Sequence, residues 1–572
     1  MLWKLLRSVF RPRAQAHPFI TRSLALRKEG RLRDAEQLLR KAALQFPRDA
    51  VVATNLGVVL LEQDRGEQGV ACLQRALEFD PRCAPAHYNL ANIMRASGQR
   101  EEAARHYQAA VDAGPDFAPA REQLMHCLLE VCDWDRAAVQ ADALRTMIAR
   151  RPAAEWMQCV SPLTAVYLGL EPGLRKQVAV FHADEYARGI AVVARNPAAD
   201  GGTRVRIAYL SRDFRDHAVG HVLANVFALH DRARFEVHAY SYGPDDGSAY
   251  RKSIAAGVDR FVDAHAMSDD EIAADIARAG IQVLIDLAGH TTGNRLAVLA
   301  RSPAPVQAHY LGYPATTGAA YIDYFITDTI ATPPASAAEF TEKLAYVARC
   351  FMVADGAEAE DALGASNAAD EFPAGAIVYC NFNNASRITR GDFQAWMEIL
   401  RGVPQGVLWL QGASAPAVGN LRKEAQICGV APERIVFANR VPAKRQHLAR
   451  LRRADLVLDT IGWHNGHSST SDALWAGVPV LTVPGQHFAG RVAASLVTAA
   501  GLPELVQRDR GEYVQTAIRL GGDRAGIDAL KSKLAQRAAP FFDTRMRVRD
   551  LEAAYLGMWN DHSSGAQQKP RI

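Results

Sequence analysis

A period of 34 residues runs through the first quarter of this chain and limits what it can fold into more than any other feature. Pro47, Pro81 and Pro115 are spaced by it. So are Gly30, Asp64 and Gly98; Ala35, Gly69, Ala103 and Ala137; Leu39, Leu73 and Tyr107; and Ala42, Ala76 and Ala110. Agreement of this many registers is not coincidence. Small residues at fixed points let helices cross closely, and a proline closes each unit. One such unit is two antiparallel helices that cannot bury their apolar face alone, so units stack into a solenoid with a concave surface. Asn55 and Asn89 fall at one register, with Gln123 there in the third unit. Amides there either bond an extended peptide or serve as packing residues of the repeat.

This spacing is the tetratricopeptide signature, and it assigns residues 17–150 to an α/α solenoid behind a leader at 1–16. The leader, MLWKLLRSVFRPR, is basic and amphipathic, but Lys4 and Arg7 interrupt it and make it a poor signal peptide. No apolar run is long enough to span a bilayer. Residues 151–203 stay helical without the repeat and read as a connector. Beyond them, short apolar runs alternate with helical stretches: RVRIAYLS, EVHAYSY, IQVLIDLAG, PVQAHYLGY and YIDYFITD, then AIVYCNFN, GVLWLQG, RIVFAN, ADLVLDT and VPVLTV. Alternation of this kind predicts α/β structure, here two doubly wound Rossmann-like domains at 204–355 and 374–545, with a linker at 356–373. A C-terminal helix and disordered tail complete the chain at 546–572. The formal charge of +4, from 66 basic and 62 acidic residues, gives no reason to expect a nucleic-acid partner. Eight cysteines without a Cys-x-x-Cys pair fit reduced thiols in a cytoplasmic protein.

Ligands of doubly wound sheets bind beyond the strand C-termini, so the chemistry should sit in loops that leave strands. After the first strand upstream, SRDFRDHAVGH carries Asp213, His217 and His221; an imidazole there can take a proton from an incoming hydroxyl. His290, in DLAGHTTGNR, is a rival base. Downstream, CNFNNASRITR supplies Asn383, Asn384 and Arg387, and a guanidinium can hold a phosphate through paired hydrogen bonds. Lys444 and His447 lie three apart, on one face near a helix start. NGHSSTSDALWAG follows a buried strand and places Gly466, His467, Ser468, Ser469 and Thr470 before a helix, either as an ordinary cap or as a cradle of N–H groups for an anion. Together these loops fit a pyrophosphate. The sole Asp-x-Asp triplet, Asp133-Trp134-Asp135, lies in the fourth repeat. Diphosphate departure is therefore expected to rely on Arg, Lys and N–H groups, with no metal and no cofactor.

These motifs resemble the protein O-GlcNAc transferase family, which joins tetratricopeptide repeats to a two-domain GT-B glycosyltransferase. LGYPATTGA, EKLAY, VYCNFN, NGHSSTSDALWAG and RVAAS carry the resemblance over residues 20 to 560. It implies an inverting enzyme that transfers GlcNAc from UDP-GlcNAc to Ser or Thr hydroxyls of proteins, with protein or peptide acceptors held by the solenoid through positions such as Asn55 and Asn89. It implies His467, Ser468 and Ser469 at the phosphates, Asp472 at the ribose, Lys444 and His447 by the nucleoside, Asn384 within the donor site, and His217 near the acceptor hydroxyl. Arg387 stands where the family has a lysine thought to support the leaving phosphate. The SPINDLY branch, which transfers fucose from GDP-fucose, shares this architecture, so two donors are open. A repeat scaffold with an inactive transferase domain is the third expectation.

Overall fold

The computed structural model describes residues 18–194, 203–354, 356, 372–439, 441 and 443–565. The leader, most of the 356–373 linker and the end of the tail lie outside them. The described chain divides into two compact units, residues 1–164 and 165–572.

The first unit contains four antiparallel helix pairs: Pro18–Lys28 with Leu32–Gln45, Ala50–Glu62 with Gly66–Phe79, Ala84–Ala96 with Arg100–Ala113, and Ala118–Glu130 with Trp134–Arg150. The turn inside each pair passes through one left-handed residue: Gly30 (φ 75°), Asp64 (59°), Gly98 (81°) and Cys132 (54°). These four positions are 34 apart, so the sequence period is the period of the backbone. Ala35, Ala42, Ala76, Ala103 and Ala110 are fully buried where helices cross. A Cβ on Gly69 would come within 2.3 Å of Leu61 and 2.9 Å of the Gly57 carbonyl, so no larger side chain fits that crossing. Asp133 caps the Trp134–Arg150 helix by accepting from the Arg136 N–H. Beyond the last pair, Glu122 receives hydrogen bonds from Ser161 (N–H 3.1 Å, Oγ 2.5 Å) and Thr164, tying the first part of the connector to the solenoid.

The second unit holds two parallel sheets. One contains β1 (Val205–Ser211), β2 (Phe235–Ser241), β3 (Arg260–Asp263), β4 (Val283–Asp286), β5 (Val306–His309), β6 (Tyr324–Thr327) and β7 (Lys343–Tyr346), ordered β3-β2-β1-β4-β5-β6-β7. The other contains β8 (Ile377–Asn381), β9 (Gly406–Leu410), β10 (Ile435–Phe437), β11 (Leu456–Leu458) and β12 (Val480–Leu481), ordered β10-β9-β8-β11-β12. Each order reverses direction beside its first strand, between β1 and β4 and between β8 and β11. A crevice opens at such a reversal because the flanking connections leave to opposite faces. Helices cover both sheets, and two start at capping boxes, Ser268 with Glu271 and Thr389 with Asp392.

The Pro172–Ala187 helix, expected in the connector, belongs to the upstream domain. Ala183 is buried in that domain's core, and Lys176 donates to the carbonyls of Ala338 and Phe340. The last helix, Thr544–Ser563, also returns to the upstream sheet: Tyr555 bonds Tyr209 on β1 (2.8 Å), and Glu552 accepts from His230 and the Asp231 N–H. The two domains are keyed by Ser495 donating to Asp328 (2.6 Å) and by Phe488 packed on Phe325 and Phe351. Among the described residues no helix is long and apolar enough to cross a membrane.

Candidate functional site

The β8–β11 reversal gathers most of the downstream candidates. β11 ends at Leu458, and Asp459, almost fully buried, accepts from Gly466 N–H (2.7 Å), Thr482 Oγ1 (2.8 Å) and Asn383 Nδ2 (3.3 Å). Ser469 Oγ in turn donates to Asn383 Oδ1. One carboxylate thus joins the loop after β8 to the turn after β11. Burial pushes that carboxyl up to about 7, against the lowering effect of its three hydrogen bonds.

The Ser468–Trp475 helix begins at this turn with His467 as its N-cap, and no side chain caps its first N–H groups. A helix start of this kind, without a side-chain cap, favours an anion through its N–H groups and dipole. His467 donates from Nε2 to the Ala489 carbonyl (3.1 Å), and burial, with Arg387 next, drops its pKa to about 3. The ring is neutral at neutral pH. Ser468 opens the helix and is half-buried.

Arg387 lies on a short turn capped by Asn384, which accepts from the Ser386 N–H (3.0 Å) and is itself exposed. Burial lowers the Arg387 guanidinium below its ordinary value, with Tyr167 and Asp459 acting in the opposite sense. Tyr167 packs on Trp463 (4.2 Å between ring centres). Lys444 and Asp472 form an ion pair (3.3 Å, side chains 12% and 19% exposed). His447 accepts at Nδ1 from Arg450 (3.0 and 3.2 Å) and packs against Phe382, and burial pushes it down to about 4. Lys444, His447 and Asp472 thus lie together, and Arg387 is near His467.

The opposite wall comes from the loops after β1 and β4. His221 is near enough to His447 to lower its pKa, so the two walls approach each other. His217 caps the Ala218–Leu223 helix; its Nδ1 accepts from the Val219 N–H (3.3 Å) and lies 3.7 Å from Asp213. Burial lowers its pKa, with Asp213 opposing. As an acceptor at Nδ1 the neutral ring carries its proton on Nε2, so service as a base at Nε2 requires the other tautomer, with Nδ1 released from the Val219 N–H. His290 instead donates Nε2–H to the Thr317 carbonyl (2.6 Å), packs against Tyr186 and Tyr313, and is pushed down to about 4 by burial. That bond ties two loops together.

In the solenoid, Asn55 and Asn89 each donate to the carbonyl one turn back, Val51 and Pro85 (both 2.9 Å). Gln123 accepts from Arg95. All three amides are thus engaged within the repeat, Asn55 and Asn89 as donors and Gln123 as an acceptor, and the Asn89 carbonyl oxygen is buried.

Sequence reasoning passed over Asp459, His464 and His487. Asp459 carries no motif beyond ending a strand. His464 immediately precedes the helix-start motif and reads only as part of a loop.

Two parallel sheets that each reverse direction beside their first strand, with an uncapped helix start and Arg387 at the downstream reversal, define a class of paired Rossmann-like domains whose geometry suits anionic ligands. The comparisons narrow that class. Residues 131–367 and 356–551 match the model for glycosyl transferase family 41, and residues 26–93 and 84–117 match tetratricopeptide repeats. The chain belongs to glycosyl transferase family 41. It is 34% identical to an Arabidopsis thaliana protein named "Probable UDP-N-acetylglucosamine--peptide N-acetylglucosaminyltransferase SEC", over 78% of this chain and 47% of that one. It is 29% identical to a Caenorhabditis elegans UDP-N-acetylglucosamine–peptide N-acetylglucosaminyltransferase, over 76% of this chain and 48% of the relative. The chain spans about half the length of the curated relatives it matches. A solved structure of a Thermobaculum terrenum O-GlcNAc transferase mutant superposes with a TM-score of 0.67 at 28% identity, covering 96% of this chain and 98% of the other.

Proposed function

We propose that this chain is an inverting protein O-glycosyltransferase that moves GlcNAc from UDP-GlcNAc to Ser or Thr hydroxyls, without a metal ion. The observation that carries the reading is the pairing of Arg387 with the uncapped Ser468–Trp475 helix start, beside the names borne by the relatives. In the reaction the acceptor oxygen attacks the anomeric carbon from the face opposite the diphosphate. The bond from that carbon to the β-phosphate oxygen breaks as the new one forms. Charge gathering on the departing diphosphate is met by the Arg387 guanidinium and by N–H groups already oriented toward it, which act without reorganisation. Lys444, Asp472 and His447 hold the nucleoside edge. His217 accepts the hydroxyl proton at Nε2 in the tautomer it reaches when Nδ1 leaves the Val219 N–H; we assign this role to it over His290, whose Nε2–H is engaged by Thr317. The solenoid presents protein acceptors, and the compartment is the cytoplasm.

Thermal unfolding in EDTA with UDP or GDP tests the donor. UDP at 100 times its dissociation constant should add about 2.7 kcal/mol of stability. Stabilisation by GDP and not UDP moves the assignment to a fucosyltransferase using GDP-fucose, and a strict need for Mg²⁺ contradicts the metal-free reading.

A further inference from the structure

His464 is the buried polar group that the foregoing reading leaves without work. The residue is 5% exposed, and neither Nδ1 nor Nε2 has a hydrogen-bond partner. Leaving both ring nitrogens unsatisfied is costly, and buried polar groups in folded proteins are almost always paired. Nothing about packing calls for imidazole here. The ring stands edge-on to Trp463 (5.2 Å, 90°) and leans on His467 (4.9 Å, 32°), contacts that a phenyl ring makes equally well. Its surroundings hold it neutral: burial comes first, then Arg387, His467 and His487. A neutral imidazole offers one donor and one acceptor.

We propose that His464 is a specificity-determining contact to the transferred sugar of the donor, giving one hydrogen bond to, and taking one from, a neutral hydroxyl or amide of the pyranose. Three observations place it there. Its backbone carbonyl accepts from Thr460 Oγ1 (2.8 Å), and the following Asn465 side chain donates to the Gly490 carbonyl (2.6 Å), so the ring is carried on a fixed loop. It packs on His467 and is close enough to Arg387 to be lowered by it, and these are the groups assigned to the leaving phosphate, to which the sugar of the donor is attached. Its neutrality suits hydroxyls and amides, whereas the charge of the diphosphate is already answered by Arg387.

This inference rests on the nucleotide-sugar reading of the same cleft, so its test separates sugar from nucleotide. Affinities for free UDP and for UDP-GlcNAc are measured on the parent, His464→Phe and His464→Gln, together with kcat/KM for UDP-GlcNAc and UDP-glucose. His464→Phe should leave UDP affinity within about twofold, weaken UDP-GlcNAc about tenfold and lower kcat/KM at least as much. His464→Gln, which keeps a donor and an acceptor, should recover part of the loss. Equal weakening of UDP and UDP-GlcNAc overturns the proposal, as does an unchanged UDP-GlcNAc affinity in the Phe variant. If His464→Phe does not fold, the same split is read from His464→Asn. Should the parent bind GDP-fucose instead, the donor assignment falls, and GDP against GDP-fucose puts the same question to His464.

Discussion

At the scale of single residues the account turns on Arg387. An interaction used mainly in the transition state lowers kcat more than it raises KM. Arg387→Ala should therefore cost about 3–4 kcal/mol, a 100- to 1000-fold drop in kcat, with donor KM little changed. Arg387→Lys keeps the charge in a different geometry and should stay active; steady-state kinetics with UDP-GlcNAc and a peptide acceptor read both. Normal turnover in Arg387→Ala removes the phosphate role. A second prediction concerns pH. His447 is pushed down to about 4 by burial, below the ordinary imidazole value near 6.5. Between those values the unfolded chain binds the extra proton, so this group's contribution to stability is complete above about 6.5 and is lost as pH falls toward 4. Asp459, raised to about 7, works in the opposite sense, stabilising at low pH and losing that contribution as pH rises through 7. His447→Gln should thus lose less stability than the parent between pH 7 and 4.5, measured by urea midpoints. A steeper loss in the variant contradicts the assignment. The loops that carry Arg387, Lys444 and Ser468 were legible because they leave recognisable strands or open helices. Asp459 and His464 were not: their importance comes from burial and from partners, and a single sequence shows neither.

At the scale of elements, the turn leading into the Ser468–Trp475 helix is the working part. A Cβ on Gly466 would meet Thr470 Oγ1 at 2.4 Å, Ser469 Oγ at 2.9 Å and Asp459 Oδ1 at 3.0 Å. Gly466→Ala should displace the turn and weaken UDP at least tenfold, with a loss of stability of about 1–3 kcal/mol of the kind that overpacking causes. Calorimetry with UDP measures the first and thermal unfolding the second; an unchanged UDP affinity would show that the turn does not hold the phosphates. The strands at the centres of both sheets were readable from their apolar runs, and the helices at Asp269–Arg278 and Arg390–Gly402 from theirs. The edge strands β3 and β7 were missed because they are four residues long and half-exposed, so they lack the apolar run that marks a buried strand. The Pro172–Ala187 helix was placed in the connector because helical periodicity does not say which neighbour a helix packs on.

On the scale of the whole molecule, the 34-residue period, the two sheets and their order along the chain were all legible, because repetition and strand–helix alternation are properties of sequence. The unit boundary was not. It falls after Thr164, beyond the predicted end of the repeats at 150, because Ser161 and Thr164 bond back to Glu122. A chain starting at Ala165 should keep UDP binding while losing most transfer to intact proteins, since acceptor capture is assigned to the solenoid. Equal modification of full-length acceptors by this shorter chain, once shown to be folded, removes that assignment. The most direct test of the central claim is mass spectrometry of a Ser/Thr-containing protein acceptor incubated with the full chain, UDP-GlcNAc and EDTA. The account predicts an added N-acetylhexosamine on a hydroxyl residue, released by β-elimination and lost or sharply reduced with Arg387→Ala. Transfer of fucose from GDP-fucose with none from UDP-GlcNAc, or no transfer from either donor by a protein that binds UDP, would contradict it.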